Sequence, residues 1–487
     1  MGIVAKQSIY NTISIGLAYI IGAINMLILY PSFPGKEFQG LIVALLANSN
    51  LIQPFISFGV QHTLIKFFSS SNNKSEQDRL LWFVLLLPIF ILIIFIPFYF
   101  YFDIEILNFL SNNNEGISRF PFLIIAIAIS TAYFEVFFSW LRVHLKSVFG
   151  NFLKEVYPRV LTFSLLIFVA FELIDLDSFI NYLIAGYYLR LIVIMGYSFK
   201  LYFPCFEFLL PKSWKEMLRY SFLIFLSGAS ASLILDIDKA MIFSLTSKEN
   251  VAFYAVALYI TAVIEAPGRA MFQITSPLVA KALNQNDKVN LEKLLKKSSI
   301  NLIIVSGILF LIINLNLIDF YQIINQEDYA SAIGVVILVS LGKLFSMSMG
   351  CLNNIISNSK YYIYVFWFSV SSAILAIILN FFLIQSYGII GAAVATLTVI
   401  IFINLCKIFL VYYLFNIHPY SSKTFEVLIS LAITYGLIFL IPSFENPWFA
   451  IIFRSLLILC LFSIPFFSFG WSNDIINILK DILKKLF

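Results

Sequence analysis

The chain has 487 residues, of which 61% are apolar and only 12% are charged, and its formal net charge is +5. Soluble domains carry about 25% charged residues, so this composition excludes a soluble enzyme, a nucleic-acid-binding protein and a disordered chain. One bilayer crossing needs roughly 20 apolar residues, and the apolar content is therefore sufficient for about fourteen transmembrane helices. The predicted fold class is an all-α polytopic membrane protein.

Apolar segments of membrane-spanning length follow one another along the whole chain. The first follows Lys6 and continues to Tyr30 without a small-residue cleavage site, so we expect it to be retained as a span and not removed as a signal peptide. The loops between spans are short, and none is expected to form a separate domain. The other predicted spans lie roughly at 38–62, 80–102, 119–142, 156–173, 178–199, 218–244, 250–278, 297–318, 330–356, 361–385, 388–415, 424–442 and 447–470.

The distribution of Lys and Arg predicts the orientation of these spans, because cytoplasmic loops carry an excess of both residues. If the N-terminus lies inside and the loops alternate, most of the 31 Lys and Arg residues fall on the inner side. The outer side receives only Lys36, Arg119, Lys239 and Lys248. We therefore expect both termini to face the cytoplasm, and the tail 475–487 to be an amphipathic helix on the membrane surface. The net positive charge reflects topology and not nucleic-acid binding.

Side chains that bind metals or catalyse reactions are dispersed along the chain. The cysteines are Cys205, Cys351, Cys406 and Cys460, and the histidines are His62, His144 and His418. Neither metal-ligand spacing nor an ATP-binding P-loop occurs in the sequence. We therefore expect no metal, no cofactor and no disulfide framework.

A weak internal repeat divides the chain into two halves. Lys36-Glu37 recurs as Lys248-Glu249 at an offset of 212, and Pro54 recurs as Pro267 at an offset of 213. Each Lys-Glu pair opens the second span of its half. The repeat predicts two six-span lobes of parallel topology, 1–211 and 212–417, followed by two additional spans in 418–487. Repeated halves are typical of alternating-access transporters, which bind substrate between them near the midplane.

Four stretches of sequence resemble the polysaccharide (Wzx-type) flippases of the multidrug/oligosaccharidyl-lipid/polysaccharide exporter superfamily. The most specific is ILNFFLIQSYGIIGAAVATLTVI at 378–400, in which an Asn closes one span, a Tyr-Gly turn follows and a small-residue helix begins. Its Gly and Ala residues also allow close helix packing, which needs no family relationship. The other three are 35–67 with SFGVQHTLIKFF at 57–68, LILDIDKAMIFSLTSKENVAFYAVA at 233–257, and QITSPLVAKAL at 273–283.

The resemblance implies a fold, a substrate and a location. The fold would have fourteen helices, as two six-helix lobes around a central cavity plus two C-terminal helices. The substrate would be an undecaprenyl-pyrophosphate-linked oligosaccharide, moved across the bacterial cytoplasmic membrane for surface polysaccharide synthesis. Membrane lipids, and polymerase and chain-length proteins of the same pathway, would be its partners. In relatives, cations that line the cavity are thought to hold the pyrophosphate.

Eight ionisable residues fall inside predicted spans. A charged side chain that faces lipid at the midplane costs about 2.5–3.5 kcal/mol or more, so each should face a cavity or an ionic partner. These residues are Glu135, Arg190, Asp236, Asp238, Glu265, Arg269, Lys343 and Arg454.

Three of the four carboxylates fall in the predicted second lobe, 212–417. Asp236 and Asp238 are about 200° apart on one helix, so they point to different faces, and Lys239 is spaced to pair with Asp236. They are candidates for coupling to protons or cations, with a simple helix-end ion pair as the alternative. Glu265 and Arg269, at i,i+4, either serve function or neutralise each other. A glycosyltransferase role for the two aspartates would need a catalytic domain that the chain lacks.

The cations are the candidates for contact with a pyrophosphate. Arg190, Lys343 and Arg454 have no charged partner on their own helices, and Glu135 is most simply the partner of Arg190. Guanidinium groups bind phosphate oxygens through two parallel hydrogen bonds. We therefore assign Arg190, Arg269, Lys343 and Arg454 as pyrophosphate candidates, and Glu135, Asp236, Asp238 and Glu265 as ion-coupling candidates. Pro54 and Pro267 are hinge candidates, since each frees a backbone carbonyl.

Two other classes of function compete with a flippase. A cation-coupled multidrug antiporter of the same superfamily would have twelve spans and strong carboxylates in its first lobe, where this chain has only Glu135. A membrane-embedded glycan polymerase would carry a large outer loop, and the longest one predicted here is only 103–118. An acyltransferase would need an intramembrane His, whereas all three His lie near the cytoplasmic edge. The chain is therefore not expected to be an enzyme.

Overall fold

The structure is a computed structural model, and it describes residues 3–68, 73–101, 120–144, 146–205, 209–442, 444–472 and 475–476. Throughout these residues the regular secondary structure is helical, with no strand. This confirms the predicted all-α class. The predicted outer loop 103–118 lies outside the described residues, as does nearly all of the predicted amphipathic tail 475–487.

Contacts divide the chain into two compact units, Met1–Ala252 and Phe253–Phe487, which we call the first and second units. This division by contacts does not test the lobes 1–211 and 212–417, which are derived from the sequence repeat. Those lobe boundaries stay a prediction. The first unit begins with α1, Ile3–Ile24, which continues through a π-helical segment, Asn25–Leu29, to Ser32. Its other helices are α2 Lys36–Ser57, α3 Val60–Phe68, α4 Lys74–Tyr101, α5 Phe120–Val143, α6 Ser147–Glu155, α7 Tyr157–Ala170, α8 Leu176–Leu201 and α9 Trp214–Leu245.

The helix α10, Lys248–Thr261, begins in the first unit and ends in the second. A 3-10 segment, Ala262–Glu265, follows it directly, and a second 3-10 segment spans Glu327–Ala332. The remaining helices of the second unit are α11 Ala266–Asn284, α12 Lys288–Leu315, α13 Leu317–Ile323, α14 Ile333–Ser348, α15 Leu352–Asn358, α16 Ile363–Phe415, α17 Ser422–Phe439 and α18 Pro447–Phe469.

The predicted count of fourteen membrane spans is not confirmed by the described residues. Among the described residues, 11 helices are long and apolar enough to cross a bilayer, or 12 if the bent pair Trp214–Ser230 and Ser232–Leu245 is one span. The predicted span 156–173 corresponds to α7, whose 14 residues are fewer than the roughly 20 that a crossing needs. The count of fourteen therefore stays a prediction.

One helix corresponds to two predicted spans. The 53 residues of α16 would extend about 80 Å, more than twice the thickness of a hydrocarbon core. Gly388 interrupts α16 with a φ of 56° and a ψ of −135°, which is a backbone conformation that glycine adopts readily. This break lies at the first residue of the predicted span 388–415, shortly after the predicted span 361–385.

The two Lys-Glu pairs of the predicted repeat both open helices. Lys36 begins α2 and Lys248 begins α10, and each places a Glu in the first turn, where a negative charge favours the helix dipole. A Cβ atom on Gly40 would lie 1.7 Å from the carbonyl oxygen of Lys248. The two helix starts are therefore in backbone contact within the first unit, and only glycine permits that approach.

Each unit has its own apolar core. In the first unit, aliphatic side chains of α3 and α4 pack against the aromatic rings of α5, among them the fully buried Trp140. In the second unit, α12 packs against α17 and α18 through Phe310, Leu431 and Phe462. The helices that carry Glu135 and Arg454 contribute to these cores, which fix their positions.

Candidate functional site

Asp236 forms an ion pair on its own helix, as the i,i+3 spacing predicts. The Lys239 Nζ atom lies 2.5 Å from Asp236 Oδ1, and the Asn50 amide of α2 donates to Asp236 Oδ2 at 3.2 Å. Both Asp236 and Asp238 are buried. The carboxylate therefore ties α9 to α2 inside the first unit, and an ion-coupling role for either aspartate stays a prediction.

Glu265 is in an ion pair with a cation of another helix. Its Oε2 atom lies 3.4 Å from Lys343 Nζ of α14. The Lys343 side chain is 13% exposed and that of Glu265 is 34% exposed, while Arg269 lies exposed one turn further along α11. Three charged groups thus lie near one break in the helix, and Glu265 and Arg269 are the more accessible ones.

Both hinge candidates lie at interruptions of helices. Pro267 is in the first turn of α11, directly after the 3-10 segment Ala262–Glu265, and Ser306 of α12 donates to the Ile264 carbonyl at 2.9 Å. Pro54 lies in the last turn of α2, and its carbonyl accepts from Phe58, whose φ is 47°. Proline lacks a backbone N–H, which is consistent with its place beside these helix ends. Hinge motion at either site stays a prediction.

The predicted pairing of Glu135 with Arg190 is wrong. Glu135 Oε1 lies 2.7 Å from Lys154 Nζ of α6, and no ion pair joins it to Arg190 in the part of the chain that the structure describes. The preceding residue, Phe134, is the one that contacts Arg190. Neighbouring positions on a helix differ by about 100°, so Phe134 and Glu135 face different helices.

Arg190 is buried among aromatic rings. Its guanidinium carbon lies 4.2 Å from the ring centre of Phe134 and 4.6 Å from that of Tyr187, and the residue is 4% exposed. Its Nε and Nη2 atoms have no hydrogen-bond partner among the described residues. The guanidinium is therefore stabilised mainly by contacts with rings.

Arg454 pairs with a carboxylate that sequence reasoning missed. Its Nη1 atom donates to Asp319 Oδ2 of α13, and its two amino groups also approach the carbonyls of Leu315 and Pro442 at 3.5 Å each. Asp319 is only 4% exposed. It lies one residue beyond the predicted span 297–318, and that position at a span end was the only sequence signal for it.

Where the structure describes them, the candidate residues lie in separate ion pairs of Asp236, Glu265, Glu135 and Arg454 and in the ring contacts of Arg190. In the described ranges, no group of three or more His, Cys, Asp or Glu side chains is placed to hold a metal ion. Arg454 is held by a buried carboxylate and Arg190 is 4% exposed. Arg269 is exposed, and Lys343 pairs with the partly exposed Glu265, so these two are the cations best placed to meet a ligand. The pyrophosphate assignments stay predictions.

Comparison with known proteins identifies the family. The model of the family described as polysaccharide biosynthesis protein matches residues 4–267, which is more than half of the 487 residues. The chain belongs to this family. No curated protein matches this member of the polysaccharide biosynthesis family in sequence.

Solved structures of transporters share the fold of this family member. It is similar to the lipid II flippase MurJ in an inward closed conformation, with a TM-score of 0.74 and 16% identity over 95% of this chain and 98% of that one. It is also similar to an inward-facing multidrug resistance MATE family transporter of the MOP superfamily, with a TM-score of 0.55 and 15% identity over 82% and 93%. The multidrug transporter DinF-BH gives a TM-score of 0.51 at 12% identity over 84% and 95%.

The fold and the family agree with each other. At these identities the structural similarity shows the fold alone, which is the helical fold of MurJ and the MATE transporters. Together with the family match, it confirms the predicted resemblance to polysaccharide flippases of the exporter superfamily. The chain is a multi-span membrane protein of the polysaccharide biosynthesis family, and its fold is that of MurJ and the MATE transporters.

Proposed function

We propose that this protein is a flippase that moves a polyprenyl-pyrophosphate-linked oligosaccharide from the cytoplasmic to the outer leaflet. The repeat unit would then be used to build O-antigen, capsule or exopolysaccharide. The observation that carries the proposal is the family match over residues 4–267. The MurJ-like fold supports it, because a protein of that fold is a lipid II flippase.

The proposed mechanism is alternating access. The charged head enters from the cytoplasm while the polyprenyl tail stays in lipid, since burying a long hydrocarbon chain in lipid is favourable and burying a diphosphate is not. Rocking of the two lobes then releases the head outside. The protein would act in the bacterial cytoplasmic membrane with both termini inside, as the Lys and Arg distribution predicts.

Lys343 and Arg269 are the cations that we favour for the pyrophosphate. Phosphate oxygens would compete with Glu265 for the Lys343 ammonium, which lies 3.4 Å from that carboxylate. Substrate binding would then release Glu265 beside the 3-10 break and Pro267. The exchange of Glu265 for a phosphate group at Lys343 would thus occur at the end of the 3-10 segment Ala262–Glu265, where the hydrogen bonding of the helix is already irregular.

The carboxylates provide candidate sites for coupling to an ion gradient. Changing Asp236 to Asn, Asp238 to Asn or Glu265 to Gln removes one titratable charge and keeps the shape of the side chain. We expect at least one of these variants to lose gradient-dependent transport of the lipid-linked substrate in vesicles. Exposed Glu172→Gln is the matched control, and it should transport normally. Normal coupling in all three variants would exclude these residues as coupling sites.

Depletion of the protein in its own cells tests the function. Lipid-linked oligosaccharides are extracted from the membranes, and the leaflet that holds them is determined with an impermeant enzyme. We expect one completed pyrophosphate-linked repeat unit to accumulate on the cytoplasmic face. Intact surface glycan without accumulation would contradict the flippase proposal. Altered sensitivity to dyes and drugs would then favour the multidrug antiporter.

A further inference from the structure

Arg190 presents an unsatisfied binding edge inside the first unit. The Nε–H group and one N–H of Nη2 lie on the same side of a guanidinium and point in parallel, which is the geometry that holds an oxyanion with two hydrogen bonds. In Arg190 these are the two nitrogen atoms that are buried without a hydrogen-bond partner in the described residues. The unsatisfied donors therefore converge on one point.

The polar groups around Arg190 are engaged elsewhere. Ser130 Oγ donates to the Tyr187 carbonyl at 2.8 Å, and Tyr157 Oη donates to the Gly186 carbonyl at 3.0 Å. The carboxylate of Glu135 lies 2.7 Å from Lys154 Nζ. None of these groups, in the positions that the structure gives them, accepts a hydrogen bond from Arg190.

The charges nearby leave one positive charge without a counter-ion. The ionisable groups that act electrostatically on Arg190 include Glu135 and Arg159. Glu135 is paired with Lys154, and Arg159 is paired with Glu155 at 3.5 Å. Aromatic faces compensate a buried cation only in part, and a water molecule could accept its hydrogen bonds without neutralising it. A bound anion would do both.

We propose that Arg190 binds a small anion, held side-on by Nε and Nη2 in the interior of the first unit. The ligand is a halide or a compact oxyanion such as formate or phosphate. The rings of Phe134 and Tyr187 pack against the guanidinium and restrict its movement. The site does not depend on the proposed lipid substrate, because a residue that is 4% exposed is closed to a bulky head group.

Thermal unfolding of the purified protein in detergent tests the site. Sodium chloride, formate or phosphate replaces sodium gluconate at constant sodium concentration, since gluconate is too bulky for a closed site. We expect the unfolding midpoint of the wild type to rise and saturate with at least one small anion. Arg190→Gln should abolish this dependence, and Arg190→Lys should shift the half-effect concentration about tenfold upward through loss of one charge-assisted hydrogen bond.

The matched control is Arg142→Gln. Arg142 is an exposed arginine of α5 that also contacts a ring, with its guanidinium carbon 5.8 Å from the centre of Phe138. This variant should keep the full anion dependence. An equal dependence in Arg190→Gln would overturn the proposal, because the anion would then act elsewhere. If Arg190→Gln does not fold, the comparison of Arg190→Lys with Arg142→Gln still decides it.

Crystals of the wild type soaked in sodium bromide locate the anion directly. We expect an anomalous peak at hydrogen-bond distance from Arg190 Nε and Nη2. The absence of a bromide peak at Arg190, together with the absence of density there in crystals soaked in formate or phosphate, would contradict the proposal.

Discussion

The surroundings of Arg190 in the first unit and of Arg454 in the second show two ways to bury the same side chain. The two arginines are 4% and 9% exposed, and the sequence predicts the same role for both. Arg454 has a carboxylate and two carbonyl groups as partners, whereas Arg190 has two aromatic rings and an unsatisfied edge. Burial alone therefore does not tell a structural arginine from a binding one.

The difference arises from the side chains that the neighbouring helices place beside each arginine. Arg454 lies on α18 beside α13, a short helix that begins directly after α12 and carries Asp319 inward. Arg190 lies beside α5, where the nearest position is Phe134 and the carboxylate of the next residue faces α6. A one-residue difference in helical phase thus decides whether the arginine has a counter-ion.

The largest effect is expected from breaking the Arg454 pair. Asp319→Ala leaves a buried guanidinium without its carboxylate, and we expect the free energy of unfolding to fall by about 3–5 kcal/mol. Denaturant unfolding of the purified protein measures it. The double variant Asp319→Leu with Arg454→Met removes both charges and should recover most of the loss. A single variant as stable as the wild type would mean that the pair contributes nothing.

A smaller effect of opposite sign is expected at Arg190. In sodium gluconate, Arg190→Met removes an uncompensated charge and keeps an unbranched side chain, so the free energy of unfolding should stay equal or rise by about 1 kcal/mol. Unfolding of Arg454→Met under the same conditions is the comparison, and it should be clearly destabilised. Equal losses in both variants would remove the distinction between the two arginines.

The smallest effect is expected from Glu135→Gln. The side chains of Glu135 and Lys154 are 21% and 39% exposed, and an ion pair of this kind contributes less than about 1 kcal/mol. The variant should therefore unfold almost as the wild type does. A loss as large as that of Asp319→Ala would show that Glu135 is the counter-ion of Arg190 after all.

Local features of the fold were predictable from the sequence. Hydrophobic length predicted an all-α membrane protein, and the i,i+3 spacing predicted the ion pair of Asp236 with Lys239. The recurring Lys-Glu pairs marked the starts of α2 and α10. All of these depend on residues close together in the chain, where helix geometry alone fixes the distances.

Partners on different helices were not predictable. The spacing of residues gives no helical phase between α5, α6 and α8, so the choice of Glu135 between Lys154 and Arg190 could not be made. Asp319 was overlooked because it lies just beyond a predicted span. The number of spans was not predictable either. The apolar segment at 156–173 forms a helix of only 14 residues, which is shorter than a bilayer crossing needs. These features depend on tertiary packing.

The most direct test of the proposed function is transport by the purified protein. Polyprenyl-pyrophosphate-linked oligosaccharide, labelled on its sugar, is placed in vesicles with and without the protein, and an impermeant glycosidase added outside reports the exposed fraction. We predict that label initially confined to the inner leaflet becomes accessible to the glycosidase in vesicles with the protein. An ion gradient is needed for this only if transport is coupled to the ion. If vesicles with the protein expose no more label than protein-free vesicles, both with and without an ion gradient, the result would contradict the flippase account. Uptake or release of a drug by the same vesicles would then favour the multidrug antiporter.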